Sequence, residues 1–413
     1  MYGRFQRIVM VGLSGLALTL VGCGGEETDP TPPGPSMEGC EAIAASCRMA
    51  QKGCVGATDT TEAHCESCPA GQYPDTTALC VPIAGTVHSY DFEAVPLEAG
   101  EEIASVCQSW ALNNETELWV NAVELKNDGG YHHSNWFFIP QGKAEYPLGA
   151  WYDCYKEGFN EIFAALEGGV LYAQSTQVKH DIQKFGDGVA VRIPPYSRII
   201  GATHLLNVYP EPKTTELNLS LYTIEEEAVT TKLTPFQLTY FDLKIEPNAY
   251  SEFASSCDFD ALYQDLLKHP LDLKLHYILP HYHALGSGFD VSIYGGDRDG
   301  EELFNLGAFT ADPFGRVFDP PIDLTGAKGL TFRCGFNNPT GKMVGHGIGD
   351  QEMCVLLGFA ETSLAMDGRA ESNTAEGQDA TGVYQNTSSC EMAGFGFSQN
   401  KDGGQPSPPD STE

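Results

Sequence analysis

At 413 residues the chain has room for two or three domains, each with a core of its own. Its 23 basic against 56 acidic residues give a net charge of −33, which argues against nucleic acid as a partner and against electrostatic attachment to anionic lipid. So much acid suits a solvated surface outside the cytoplasm.

Residues 1–22 read as a lipoprotein signal peptide. Arg4 and Arg7 precede an apolar run from Ile8 to Val21 that is too short and Gly-rich for a comfortable membrane span. The run ends in "LVGC", which resembles a bacterial lipobox and would make Cys23 the lipidated first residue of the mature chain. Gly24 rather than Asp follows it, which in Gram-negative lipoproteins implies sorting to the outer membrane, on its periplasmic or cell-surface face. An ordinary cleaved secretory signal is the alternative, and both imply export. The chain holds 13 cysteines. Without Cys23 they fall into six between Cys40 and Cys80 and six between Cys107 and Cys390, even sets that suit two disulfide frameworks.

Residues 23–39 form a Pro-, Gly- and acid-rich tether with nothing to bury. Residues 40–84 are a cysteine-rich unit too short for an apolar core, so disulfides would staple it. Its end, "CESCPAGQYPDTTALC", resembles EGF-like or TNF-receptor-like cysteine repeats, a spacer or a module for a protein partner. Zinc at Cys65-x-x-Cys68 with His64 is a second reading.

From about Val87 short alternating runs dominate: "LNLSLYTI", "LDLKLHYIL" and "FDVSIYG". "FDALYQDLLKH" is one short helical candidate. The pattern predicts an all-β fold of two tandem antiparallel jelly-roll-like β-sandwiches behind the small disulfide-rich module. We place the sandwiches at 85–228 and 229–392, joined through "TIEEEAVTTKLTP", and a disordered tail at 393–413.

Three histidine features lie in this region. "GYHHSNWFFI" holds His132 and His133, which point to opposite faces of a regular strand and could share a metal only through a bulge or twist. "RIIGATHLLNVY" holds the lone His204. "PHYHALG" places His281 and His283 on one face of an extended segment, as a metal site, a proton relay or chance. Seventy residues on, "GIGDQEMCVLLGFAE" sets Met353 beside Cys354.

HH, a single His, H-x-H and E-M-C occur in this order in the type II, ascorbate-dependent copper monooxygenases, the family of peptidylglycine α-hydroxylating monooxygenase and dopamine β-monooxygenase. "HHSNWFF" resembles the family's HH and its following aromatic run, "HYHALG" its H-x-H-x-x-G, and "DQEMC" its acidic E-M-C; the likeness covers about residues 87–392. It implies two coppers per chain in separate sites. His132, His133 and His204 would hold an electron-transfer copper in the first sandwich, and His281, His283 and Met353 a catalytic copper in the second. It implies hydroxylation of a C–H bond with O2 and an external reductant, ascorbate or another. A soft thioether favours Cu(I), whereas zinc has little use for one. The resemblance also implies disulfides Cys107–Cys154 and Cys334–Cys354, the latter anchoring Met353; Cys257 and Cys390 are then the remaining pair.

Departures from the family concern the substrate. Peptidylglycine enzymes fix a carboxylate with an Arg before H-x-H and with Asn and Tyr after M-C. Here Leu279, Val355 and Leu357 stand there, and a buried carboxylate would find no partner. This argues against peptide amidation and for a small neutral or aromatic substrate. His276 and His346 read as bystanders. Two other classes stay open: a non-catalytic copper-binding lipoprotein on the same fold, and an adhesion lipoprotein with no metal.

Overall fold

Alternation of buried and open side chains explains several of these strands, while others are buried on both faces. Along Ala249–Asp258 every second residue from Ser251 to Cys257 is buried, which fits a strand with one face on a core. The computed structural model describes residues 37–396 except 50, 144, 162–163, 165–167, 175–177, 308–314 and 348–350. The signal peptide, Cys23 and most of the tether and tail therefore lie outside the described residues. No helix among the described residues is long and apolar enough to cross a membrane.

The cysteine-rich module begins with helix α1 (Cys40–Met49). Two hairpins follow, β1 (Gly53–Val55) with β2 (His64–Glu66) and β3 (Gln72–Pro74) with β4 (Cys80–Pro82). Its disulfides are Cys40–Cys54, Cys47–Cys65 and Cys68–Cys80. Cys65 and Cys68 are both used in them, so the zinc reading is withdrawn: no thiolate is left for the metal.

The first sandwich contains β5 (Thr86–Leu97), β6 (Glu102–Ala111), β7 (Leu118–Asn127), β8 (Tyr131–Pro140), β9 (Tyr152–Asp153), β10 (Gly169–Gln174), β11 (His180–Lys184), β12 (Val189–Ile193), β13 (Ser197–Leu206) and β14 (Lys213–Ile224). One sheet runs β10-β8-β13-β6-β9; the other is centred on β7, between β12 and β14. After a 3-10 turn at Glu226–Ala228, the short β15 (Thr231–Lys232) pairs parallel with β12. The first sandwich therefore extends past the boundary expected at 228. The acidic join turns back on it before the chain leaves.

The second sandwich contains β16 (Thr234–Tyr240), β17 (Ala249–Asp258), β18 (Lys274–His281), β19 (Gly286–Tyr294), β20 (Glu302–Leu306), β21 (Arg316–Asp323), β22 (Gly329–Asn338), β23 (Val355–Glu361), β24 (Leu364–Ala370), β25 (Thr374–Gln378), β26 (Tyr384–Ser389) and β27 (Glu391–Gly396). Its sheets run β21-β18-β23-β16-β24-β27 and β20-β19-β22-β17-β26-β25. Pairing is antiparallel throughout the described strands except β12–β15, β16–β24 and β17–β26. The last two close the sandwich by laying late strands beside its first two. Strand β27 carries order past the tail boundary expected at 393. The helical candidate forms α2 (Phe259–Leu266), started by Asp258, whose side chain accepts from the Ala261 amide.

Cys107–Cys154, Cys257–Cys390 and Cys334–Cys354 are all bonded. Each sandwich has its own core, and the two meet through apolar side chains. Phe185 of the first packs edge-on against Tyr277 and Phe359 of the second, at 6.2 and 5.4 Å between ring centres. Tyr277, Leu279 and Phe359, on strands of the second sandwich, pack into the core of the first. The module is also seated. Strand β7 is buried on both faces along most of its length because residues of the module cover its outer side. Ile83 and Tyr73 pack there on Ala122, Ile182 and Tyr222.

Candidate metal centre

Strands β8 and β13 bring the first three histidines together. His133 pairs with His204, and the next pair is Tyr131 with Leu205, so His132 is an extra residue in β8. This is the bulge that the adjacent pair needs to bring both rings to one side. Ring centres are 5.5 Å apart for His132–His133, 5.1 Å for His132–His204 and 4.9 Å for His133–His204. Glu102 accepts from His204 Nε2–H at 2.7 Å, leaving the His204 Nδ1 lone pair 3.1 Å from His133 Nε2.

The second group stands where β18 ends. His281 is in register with Val355 of β23, and His283 follows two residues later, its ring 5.2 Å from that of His281. Tyr282 turns the other way, into the second core against Phe289. Gly286 is required by that packing, since a Cβ there would sit 2.1 Å from the Tyr282 ring. His283 Nδ1–H donates to the Gln351 carbonyl at 2.8 Å, which leaves Nε2 as the free lone pair. The buried carboxylate of Glu352 accepts from the amides of His283 at 2.8 Å and Leu285 at 2.7 Å, tying this loop to the Met353 segment. Burial pushes Glu352 up to about 7 despite these bonds. Cys354, joined to Cys334 of β22, pins the same segment from its other end.

The two groups are not apart. His133 lies 5.1 Å from His281 and 5.6 Å from His283, and His132 lies 6.0 Å from His283, ring centre to ring centre. Ligand nitrogens of His133, His281 and His283 all fall within 4.8 Å of one another. The spacing of the rings therefore departs from the separate sites that the resemblance implies. Packing of Phe185 on Tyr277 and Phe359 draws the facing sheets together until the imidazoles meet.

The residues present fit a metal. His132 Nδ1, His283 Nε2 and His346 Nδ1 are buried without a hydrogen-bond partner. Such atoms are costly unless something binds them. Burial, and then the neighbouring imidazoles, hold His132 down at about 3 and His133 and His281 well below the usual histidine range. His204, His283 and His346 are lowered too, chiefly by burial. Neutral rings keep their lone pairs for a cation.

A cavity of about 390 Å³ opens beside the cluster. His133, His204, His281, His346 and Met353 line it, and so do Leu279, Val355 and Leu357, the three positions singled out for substrate. His346 is among these lining residues, although the sequence around it carries no ligand spacing. His276 does not line this cavity; its Nε2 is buried without a hydrogen bond, 3.9 Å from Glu361. Glu102 and Glu352 were missed as supports. Glu352 sits inside the E-M-C motif and was legible as its acidic member, whereas nothing near Glu102 points to His204.

Fold and geometry together define a double β-sandwich protein with a histidine cluster built from both sandwiches. No protein-family model matches the chain, and no curated protein does. Among solved structures it is similar to the major capsid protein P2 from Bacteriophage PM2. The identity is 10% over 65% of this chain and 97% of that one, with a TM-score of 0.26. It is also similar to PBCV-1 VP54, as fitted into a cryo-EM reconstruction of the virophage Sputnik, at 7% identity over 68% of this chain and 96% of that one, with a TM-score of 0.21. Likeness at this level says nothing of activity.

Proposed function

We propose that the chain is an exported, lipid-anchored copper monooxygenase that hydroxylates a C–H bond of a small neutral or aromatic substrate, with O2 and ascorbate or another external reductant as co-substrates. One observation carries this reading: nitrogens of His133, His281 and His283 converge within 4.8 Å beside a cavity that Met353 also lines. Copper, when bound, supplies one-electron chemistry and oxygen activation. The chain supplies neutral imidazoles, and Met353 offers the thioether that favours Cu(I) over zinc. Glu352 and the Cys334–Cys354 bridge hold the Met353 segment against the His283 loop. Leu279, Val355 and Leu357 make an apolar wall that excludes water and suits an aromatic ring. No Lys or Arg is among the described residues lining the cavity, so a carboxylate would be buried there without a countercharge.

Copper analysis of the full chain, with oxygen uptake measured under ascorbate and a panel of small aromatic substrates, tests the proposal. Copper uptake with substrate-dependent oxygen consumption is expected. Copper uptake without turnover under any reductant would make the protein a copper binder. Failure to retain copper would end the reading altogether.

A further inference from the structure

Resting on the copper reading above, we infer that the five histidines form one metal cluster shared by both sandwiches, with His133 as the common member, and not two independent sites. Spacings within the groups are 4.9 to 5.5 Å for the first and 5.2 Å for the second. Those between the groups, 5.1, 5.6 and 6.0 Å, overlap this range or exceed it by half an ångström at most. No gap divides the set. His133 belongs by strand register to His204, yet its ligand nitrogen groups with those of His281 and His283.

The unpartnered nitrogens point the same way. His132 Nδ1 from the first sandwich and His283 Nε2 from the second are both buried without a hydrogen bond, on neighbouring rings. Each would be satisfied by a cation placed between the sandwiches. The closeness does not depend on a flexible loop, because His133 sits in β8 and His281 ends β18, and the aromatic contacts of Phe185 hold the two sandwiches together. A cation held here takes ligands from both sandwiches and clamps them, so losing a ligand on either side weakens the whole cluster.

The test uses the full chain loaded with Cu(II), read by copper content and electron paramagnetic resonance. A shared cluster predicts magnetically interacting ions at full loading, seen as a half-field transition and fewer detected spins than copper ions. It also predicts that His133→Ala and His281→Ala each release the copper of both groups. Full spin count from isolated signals, with His133→Ala keeping the copper that His281→Ala releases, would overturn the cluster and leave the copper reading standing. No copper on the unaltered chain would overturn both. The spin measurement needs no variant, so poor folding of either variant does not blunt the test.

Discussion

The imidazole of His133, on a strand of the first sandwich, lies 5.1 Å from that of His281, on a strand of the second. Two domains that each bury their own core meet at this pair. Apolar contacts bring the sheets together, and the histidines are what those sheets present to each other beside the cavity. Burial keeps the rings neutral, with lone pairs that a cation could use. The residues around this junction set the predictions below.

Met353→Ile keeps the side-chain volume and should alter stability by less than about 1.5 kcal/mol. It removes the one thioether among the described residues lining the cavity. X-ray absorption of the Cu(I) protein should lose its sulfur contribution. An unchanged spectrum and unchanged copper affinity would remove Met353 from the ligand set.

Glu102→Ala deletes the acceptor that fixes the His204 ring at 2.7 Å. Support of this kind commonly contributes about 10- to 100-fold to metal affinity. Copper affinity measured by competition with a chelator should fall by that order. The melting temperature of the metal-free chain should fall only modestly, since Glu102 is exposed but His204 Nε2–H loses its acceptor.

Replacing Cys334 and Cys354 together by Ala opens a loop with a sequence separation of 20. Loop-closure entropy puts the cost at about 3 kcal/mol, and the freed Met353 segment should lower copper retention as well. Chemical denaturation and copper content measure the two effects. A stable variant that still binds copper fully would show that Glu352 alone positions this segment.

Glu124 supports the seat of the cysteine-rich module. It accepts from the Gly71 amide at 2.9 Å and the Tyr222 hydroxyl at 2.8 Å, and pairs with His180 at 2.8 Å. Although burial opposes it, these bonds hold the carboxyl down at about 2. A depressed carboxylate binds fewer protons folded than unfolded, so its stabilisation is complete above the ordinary value of 4.5 and is lost as pH falls toward 2. Glu124→Gln should flatten stability across that window, read by acid unfolding. It should also release residues 40–84 to protease first at neutral pH. If cleavage instead begins within the sandwiches, the module is not held through Glu124.

Much of the local structure was legible in the sequence. Period-two alternation marked β14 and β19, whereas β18 starts only at Lys274 and is buried continuously, and "FDALYQDLLKH" gave a helix that ends at Leu266, three residues short of its expected end. "HYHALG" fell as read, with both histidines to one side and Tyr282 to the other. The rest depends on long-range packing. No pattern in β8 announces that His132 is its extra residue, because a bulge is defined by the partner strand. Short-range periodicity could not show that β15 returns to β12 or that the module lies on β7 rather than standing apart.

The sequence by itself determined which residues are available: paired histidines in extended segments, a methionine beside a bridging cysteine, and an apolar residue where a charged one would hold a carboxylate. These are properties of neighbours along the chain, set by side-chain chemistry and strand geometry. Only the tertiary structure decided that the two histidine groups are one. That outcome depends on how closely Phe185, Tyr277 and Phe359 let two sheets approach, a matter of side-chain volume at a contact between distant segments.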